Sequence, residues 1–233
     1  MFIIFIALLL QVFAAIASNE FNGRSSVLAE MNVKPEMNTK PGMNTKQGKA
    51  KAIICIGCHG VDGNNDNPAY PKLAGQHKIY LIKQLIDFKK GYRKEEHMTA
   101  MVEAISYNDI PVIAHYFSSQ EIKRLVPVKK NSVKNNSIEK NLILNKGEKL
   151  YKYGNTEKSI TACASCHGIN GRGLASQQYP ALAGQHKAYL LKALQSFRFG
   201  KRHNDKSRLM RNIALKLTND DMKLLASYLA SLE

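Results

Sequence analysis

The chain has 233 residues, a length that suits two small domains once a leader is removed. It carries 34 Lys and Arg against 18 Asp and Glu, so its formal net charge is +16, and this charge favours acidic proteins or anionic membrane surfaces as partners. Nucleic acid is disfavoured as a partner, because no nucleic-acid-binding motif is present and the lysines are scattered along the chain.

Residues 1–17 are predicted to be a secretory signal peptide. The apolar run from Phe2 to Ala17 is broken only by Gln11 and ends in the small-residue pattern that signal peptidase recognises. The run is short for a membrane-spanning helix, and an uncleaved anchor is the alternative. The sequence therefore predicts export, and we expect the mature protein in the periplasm.

Residues 18–47 form a polar stretch with three imperfect copies of a Met-Asn-Thr-Lys repeat, which begin at Met31, Met37 and Met43. Low hydrophobicity and spaced Pro and Gly residues indicate a flexible tether. Binding of a soft metal ion by the three methionines is the alternative interpretation.

The first module is predicted at residues 48–126. A short helix leads into a Cys-x-x-Cys-His motif, a loop rich in Gly, Asn, Asp and Pro follows, and helical periodicity extends over residues 73–91. A last helix is predicted to begin near Asp109, a candidate capping residue, and to end near Ser118.

Residues 127–141 are polar and aperiodic and are predicted to be an interdomain linker, whereas residues 142–233 repeat the first module. Segment 182–200 is identical to segment 73–91 at 12 of 19 positions, which indicates an internal duplication. The final helix is predicted to start near Thr218. The elements predicted in both modules are helices.

All four cysteines of the chain lie in two Cys-x-x-Cys-His motifs, the attachment signature of a c-type haem. The thiols can add to the vinyl groups of the porphyrin, and the following histidine then lies against the iron. A zinc site and a thioredoxin-like motif are the alternatives. We therefore predict two covalent haem c groups, with thioether links at Cys55, Cys58, Cys163 and Cys166 and proximal iron ligands at His59 and His167.

The duplication also indicates the second axial ligand of each iron. Met98 precedes Ile110 in the last helix of the first module by the same distance as Met210 precedes Met222 in the last helix of the second. The two methionines are therefore equivalent. Because methionine opposite histidine is typical of electron carriers, Met98 and Met210 are predicted to ligate the two irons.

Three other residues compete for this role. His77 and His186 are also equivalent, but each is predicted to lie on the exposed surface of a helix. Met101 has Ile213 as its counterpart. It is therefore predicted to fill the core.

Two prolines are predicted to orient the proximal histidines. Pro71 lies 12 residues after His59, and Pro180 lies 13 residues after His167. A ligating imidazole usually donates its other N–H to an acceptor oxygen, and each proline carbonyl is a candidate acceptor. The leucines that come second after these prolines, Leu73 and Leu182, are predicted to pack on the haems.

Residues 48–233 resemble the cytochrome c4 family. The resemblance rests on the paired Cys-x-x-Cys-His-Gly motifs, the Tyr-Pro-Lys/Ala-Leu-Ala-Gly-Gln segments, the Tyr-Leu-x-Lys-x-Leu helices and the methionine segment before each last helix. It implies an all-α fold of two tandem class I cytochrome c domains related by a pseudo-twofold axis, each wrapped around its haem, with the haem propionates approaching each other. It also implies the same axial pairs, His59 with Met98 and His167 with Met210.

The resemblance further implies an electron carrier that is not an enzyme, either free in the periplasm or associated with the membrane surface. Its expected donor is a bc1-type quinol-oxidising complex, and its expected acceptor is a terminal cytochrome c oxidase, for example of the cbb3 type. A diheme oxidoreductase such as a cytochrome c peroxidase and an electron-transfer subunit of a larger dehydrogenase are the alternatives.

We expect the modules to meet near Gln76, Tyr80, Gln185 and Tyr189. Residues 142–233 hold 15 Lys and Arg against 6 Asp and Glu, whereas residues 48–126 hold 11 against 8. This asymmetry predicts that the second module docks on an acidic partner. The basic residues expected at that surface, around Met210, are Lys201, Arg202, Lys206, Arg208 and Arg211.

Overall fold

The computed structural model describes residues 45–123 and 136–232, which belong to one unit. No β-strand occurs among these residues, so the all-α prediction is confirmed, and the only pairing of extended chain there consists of two isolated bridges. The helices of the first module are α1 (Thr45–Lys51), α2 (Ile53–His59), α3 (Lys78–Lys89), α4 (Glu96–Glu103) and α5 (Ile110–Ser118). Those of the second are α6 (Asn136–Tyr153), α7 (Ala164–His167), α8 (Lys187–Arg198), α9 (Leu209–Lys216) and α10 (Asn219–Ser231), with 3-10 turns at Ala175–Gln177 and Lys206–Arg208.

The two modules repeat one packing plan. In the first, α5 packs against both α1 and α3, and α4 packs against α3. In the second, α10 packs against both α6 and α8, and α9 packs against α8. The matching order of contacts confirms the tandem arrangement that the internal repeat predicts.

The final helix of each module begins differently. Thr218 accepts from the backbone N–H of Asp221, whose side chain accepts in return from the Thr218 N–H, so α10 starts with a complete capping box. Asp109 precedes α5 but makes no capping hydrogen bond. Its carboxylate instead lies 3.0 Å from the Lys51 ammonium on α1. Asp109 therefore links two helices rather than capping one.

Close helix packing depends on one glycine in each module. A Cβ added to Gly48 on α1 would lie 2.7 Å from the Cβ of Tyr116 on α5. A Cβ added to Gly147 on α6 would collide with the carbonyl oxygen of Leu224 and lie 2.8 Å from the Cβ of Tyr228 on α10. Glycine thus allows the first and last helices of each module to approach closely through their backbones.

Two helix boundaries differ from the predictions. α3 begins at Lys78 rather than Leu73, because Gly75 has a φ of +64° and His77 is extended with a ψ of 126°. Most of the predicted linker lies outside the described residues, but its last part, residues 136–141, is helical. Extending a packed helix by further turns is favourable even in a polar segment, because the costly nucleus already exists.

The predicted signal peptide and the Met-Asn-Thr-Lys tether lie outside the described residues, apart from the start of α1 at Thr45. In the part of the chain that the structure does describe, no helix combines the length and hydrophobicity needed to cross a membrane.

Replacement of Gly147 by alanine should lower the free energy of unfolding by about 1–3 kcal/mol, because the new methyl group overpacks the α6–α10 contact. Chemical denaturation of the haem-loaded protein measures this change. Lys146→Ala is the control, since Lys146 adjoins Gly147 on α6 and its side chain is exposed. A loss of stability in the control equal to that in Gly147→Ala would contradict this account of the packing.

Candidate haem sites and the interface between the modules

Both Cys-x-x-Cys-His motifs end short helices. α2 ends at His59 and α7 ends at His167, and each histidine is followed by a glycine with positive φ, 82° at Gly60 and 76° at Gly168. Glycine adopts this backbone conformation without steric cost, so the chain can turn away directly after the histidine. The imidazoles stay buried, with 4% of His59 and 7% of His167 exposed.

The loop after each motif is closed by a glycine carbonyl. The oxygen of Gly63 accepts from the amide of Leu73 at 2.8 Å, and the oxygen of Gly171 accepts from the amide of Leu182 at 2.7 Å. Both leucine side chains are half-buried. The closure brings the proline that precedes each leucine back beside the buried histidine. Contact of the two leucines with haem remains a proposal.

Each proximal histidine donates a hydrogen bond to the predicted proline carbonyl. The distance from Nδ1 to the oxygen is 2.9 Å from His59 to Pro71 and 3.0 Å from His167 to Pro180. Burial lowers the pKa of both imidazoles, although these hydrogen bonds oppose the shift. A neutral ring with its proton on Nδ1 leaves the Nε2 lone pair free, which is the form that binds iron.

The first cysteine of each motif is a half-buried thiol. Burial raises the pKa of Cys55 to about 11, with a smaller contribution from Cys58. Burial also raises the pKa of Cys163 to about 11. No three His, Cys, Asp or Glu side chains within the described ranges converge as ligands of a metal ion. Each motif thus holds two thiols beside its histidine, as covalent attachment of a haem c requires.

Met98 and Met210 occupy matching places at the amino-terminal ends of α4 and α9, and both side chains are half-buried. The Glu95 side chain caps α4 by accepting from the Met98 N–H at 3.2 Å. Met101, by contrast, is 42% exposed, so the prediction that it is a core residue is wrong. It lies on the solvent side of a short helix, a position that comparison with Ile213 did not reveal.

The modules meet through reciprocal hydrogen bonds of two glutamines. Gln76 donates to the carbonyl of Ala181 at 2.9 Å and accepts from its N–H at 3.0 Å. Gln185 donates to the carbonyl of Lys72 at 2.9 Å and accepts from its N–H at 2.9 Å. Each glutamine thus bonds to the N–H and the carbonyl of one residue in the opposite module, as a twofold-related interface requires. The expected contact at these residues is confirmed.

Two arginines extend the reciprocal pattern. Arg202 donates to the Tyr80 hydroxyl at 2.9 Å, and Arg93 donates to the Tyr189 hydroxyl at 3.2 Å. Burial opposes ionisation of Tyr189, but the guanidinium groups of Arg93 and Arg202 lower its pKa to about 8. The predicted contact at both tyrosines is therefore confirmed, and strong positive potential accompanies it.

The interface also contains residues that the sequence analysis missed. Gln84 accepts from Arg93 at 2.8 Å, from Arg202 at 3.1 Å and from Asn204 at 3.0 Å, and it lies beside the buried Asp87. Arg93 stands two residues after Gly91, and Arg202 stands two residues after Gly200, the glycines that end the two repeated segments. Extending the internal comparison past that glycine would have revealed this pair.

The two rival histidines are not exposed helix residues. His186 is only 1% exposed and donates from Nε2 to the carbonyl of Asn65 at 2.7 Å. His77 is half-buried, and its Nε2 is buried without a hydrogen-bond partner in the described structure. The prediction of exposure is wrong because both residues precede their helices, in the segment where the modules meet.

Two of the five expected docking residues have structural roles. Arg202 is 9% exposed and belongs to the interface described above. Arg211 forms an ion pair with Asp205 at 2.7 Å, with only 13% and 5% of the two side chains exposed. These two arginines cannot serve as a docking surface. The other three expected residues, Lys201, Lys206 and Arg208, are exposed.

The residues present fit two covalently bound haems. Each module offers two thiols, an oriented imidazole and a half-buried methionine. At the interface, Arg93 and Arg202 make hydrogen bonds to neutral oxygens and form no ion pair with a carboxylate of the described residues. Buried charge without a counter-charge is costly. The pair therefore suits an added anion, and haem propionates are carboxylates of the required kind.

The comparisons with known proteins agree with these features. The model of the cytochrome c family matches residues 30–127 and 144–233. The chain is 41% identical to a cytochrome c4 of Pseudomonas aeruginosa over 186 residues, 79% of this chain and 87% of that protein. It is 34% identical over 183 residues to a protein of Thiomonas intermedia named as a thiosulfate dehydrogenase electron acceptor, covering 78% of this chain and 79% of that one. The crystal structure of reduced cytochrome c4 from Pseudomonas stutzeri matches with a TM-score of 0.73 and 38% identity, over 82% of this chain and 99% of that one.

Replacement of Gln76 or Gln185 by alanine should lower the free energy of unfolding by about 2–4 kcal/mol, because two hydrogen bonds are lost and backbone groups of the other module are left unpaired. Denaturant titration of the haem-loaded protein measures the effect. Gln47→Ala serves as the control, since this glutamine is exposed on α1. If all three variants lose the same stability, the two glutamines do not hold the modules together.

Proposed function

The chain belongs to the cytochrome c family, and from this premise we propose that it carries single electrons in the periplasm from a bc1-type quinol-oxidising complex to a terminal oxidase. It is a diheme electron-transfer protein of the cytochrome c4 type, with two covalently bound haem c groups, rather than an enzyme. The observation that carries the proposal is the duplicated site, in which each module holds a cysteine pair, a buried histidine and a methionine in equivalent positions.

We assign the axial ligands as His59 with Met98 and His167 with Met210. When bound, each haem supplies an iron that exchanges one electron. The chain's own residues hold this iron in a fixed setting, because the proline carbonyls orient the imidazoles and the α4 and α9 ends place the methionines. An iron with both axial positions filled by the protein has no open site for a substrate. This ligand set therefore favours electron transfer over peroxidase chemistry.

Met98→Ala and Met210→Ala should each open one of the two irons to an added ligand such as carbon monoxide or imidazole. Ligand titration followed by absorption spectroscopy should then show binding to half of the haem in either variant. Met101→Ala is the control, because this exposed methionine lies on the same helix as Met98. Binding by the control, or none by the other two, would contradict the ligand assignment.

The periplasmic location is also proposed. It is supported by the apolar run at residues 2–17 and by the similarity to cytochromes c4, since c-type haem is attached outside the bacterial cytoplasm. Retention of that run as an anchor would place the carrier on the membrane surface. Either case brings the two modules to membrane-bound respiratory partners.

The charge around the two methionines differs in a way that favours docking through the second module. Met210 is preceded by the exposed sequence Lys206-Ser207-Arg208, whereas Met98 is preceded at the same distances by Lys94-Glu95-Glu96. Ser207 and Arg208 have φ values of 51° and 57°, which are uncommon for residues other than glycine. Asp205 receives a 3.0 Å hydrogen bond from the Arg211 N–H at the base of this turn. The turn is thus held in place with two exposed cations.

A thiosulfate dehydrogenase is the second candidate partner. The similarity to the electron acceptor of Thiomonas intermedia favours it, and the same docking surface could receive electrons from such an enzyme. Measured reduction of the protein by purified bc1-type complex and by thiosulfate dehydrogenase would separate the two donors. Reduction by the dehydrogenase alone would contradict the proposed quinol-linked role.

Lys206→Glu should slow electron transfer to the terminal oxidase about tenfold at low salt, because charge complementarity steers encounter, and the wild-type rate should fall as salt is added. Lys94→Glu is the matched control, since Lys94 stands in the same place before Met98 as Lys206 does before Met210. Stopped-flow kinetics with the oxidase measures both rates. Equal slowing by the two substitutions, or a rate independent of salt, would exclude docking through the second module.

A further inference from the structure

Among the described residues, two equivalent histidines at the interface make different contacts. His77 and His186 are equivalent, and the backbone N–H of each donates to the side chain of the preceding glutamine, at 3.0 and 2.9 Å. Only His186 reaches across to the other module, where its Nε2 donates to the carbonyl of Asn65 at 2.7 Å. The Nε2 of His77 is buried without a partner among the described residues.

The asymmetry follows from the loops of the two modules. Asn65 donates its N–H to the carbonyl of His59 at 3.1 Å, and Gly173 donates in the same way to the carbonyl of His167 at 2.7 Å, so Asn65 and Gly173 are equivalent. Beyond this point the second loop is longer by a single residue, since Pro180 stands one position further from its histidine than Pro71 does from its own.

The longer loop has a structure that the first loop lacks. It forms the Leu174–Tyr179 bridge and the 3-10 turn at Ala175–Gln177, and this turn packs against α3, the helix that His77 precedes. Because of the additional residue, the loop backbone near His77 differs in conformation from the loop backbone that His186 contacts.

Asn65 lies directly against the haem-attachment motif of the first module. Besides the hydrogen bond from its N–H to His59, its side-chain amide donates to the carbonyl of Cys58. Both acceptors belong to the last turn of α2, which carries the imidazole and the second thiol of the motif. A side chain of the second module therefore holds the residue that ties down this turn.

His186 is suited to this contact. Burial lowers its pKa, although the Asn65 carbonyl opposes the shift, while Lys72 lowers the pKa further and Asp66 raises it. The neutral ring must carry its proton on Nε2, because a carbonyl can only accept. A buried hydrogen bond of this kind fixes both of its partners, since breaking it would leave two polar groups unpaired.

We propose that His186 is a positioning residue through which the second module fixes the haem-attachment loop of the first, and that His77 makes no equivalent hydrogen bond to the loop of the second. The first haem thus has an environment that depends on docking of the second module. The proposal rests on the role of His59 as a haem ligand proposed above. Under this proposal, the surroundings of the first haem depend on the His186 contact across the interface, whereas those of the second haem do not depend on His77.

The first test is His186→Leu, with His77→Leu as the matched control. In the haem-loaded, reduced protein, hydrogen exchange of the backbone N–H of Asn65 should become about tenfold faster in His186→Leu and stay unchanged in His77→Leu. The midpoint potential of the first haem should shift, whereas that of the second should not. His186→Gln retains an N–H donor and should restore slow exchange at Asn65.

Unchanged exchange at Asn65, equal shifts of both potentials, or the same effects in His77→Leu would overturn the proposal. In the wild-type protein, the Nε2–H proton of His186 should give a slowly exchanging resonance in nuclear magnetic resonance spectra. Absence of this resonance would also overturn the proposal. The measurement uses the wild-type protein and therefore does not depend on the folding of a variant. The absorption band of the iron–methionine bond reports separately on the proposed axial ligands.

Discussion

Gln76 and Gln185 each bond to both backbone polar groups of one residue in the opposite module, and the relation of the two haem-attachment sites depends on these contacts. Both glutamines are buried, so loss of either side chain would leave backbone groups without water or protein partners. The glutamines directly precede the histidines that lead into α3 and α8. In each module, this Gln-His segment therefore lies at the start of a helix and also holds the two modules together. In the second module, its histidine contacts the haem-attachment loop of the first module.

The two copies agree at the haem-attachment positions and differ in the segments around them. The cysteine, histidine and proline positions are retained in both copies, because covalent attachment and orientation of an imidazole allow few alternatives. The surroundings of Met98 and Met210 differ in charge, and the loops after the two attachment motifs differ in length. A carrier with identical modules would present two equivalent surfaces to its partners. This chain instead has one cationic edge on the second module and one interface contact directed at the first.

Much of the site could be predicted because its chemistry is local in sequence. The two thiols, the adjacent histidine and the proline whose carbonyl accepts a hydrogen bond from that histidine lie close together in the sequence of each module. The internal repeat then identified the equivalent methionines. The burial of His186 and Arg202 could not be predicted in this way, because periodicity within one module does not reveal which face meets the other. Met101 was misplaced for a related reason, since an equivalent position in a repeat need not share its exposure.

We expect the reciprocal interface to hold the two haem modules as one rigid electron-transfer unit. The most direct test is the distance between the two oxidised irons, measured by pulsed electron paramagnetic resonance in frozen solution. A rigid unit should give a single narrow distance distribution, which Gln76→Ala combined with Gln185→Ala should broaden. A broad distribution in the wild-type protein, as for two modules joined only by a flexible chain, would contradict it.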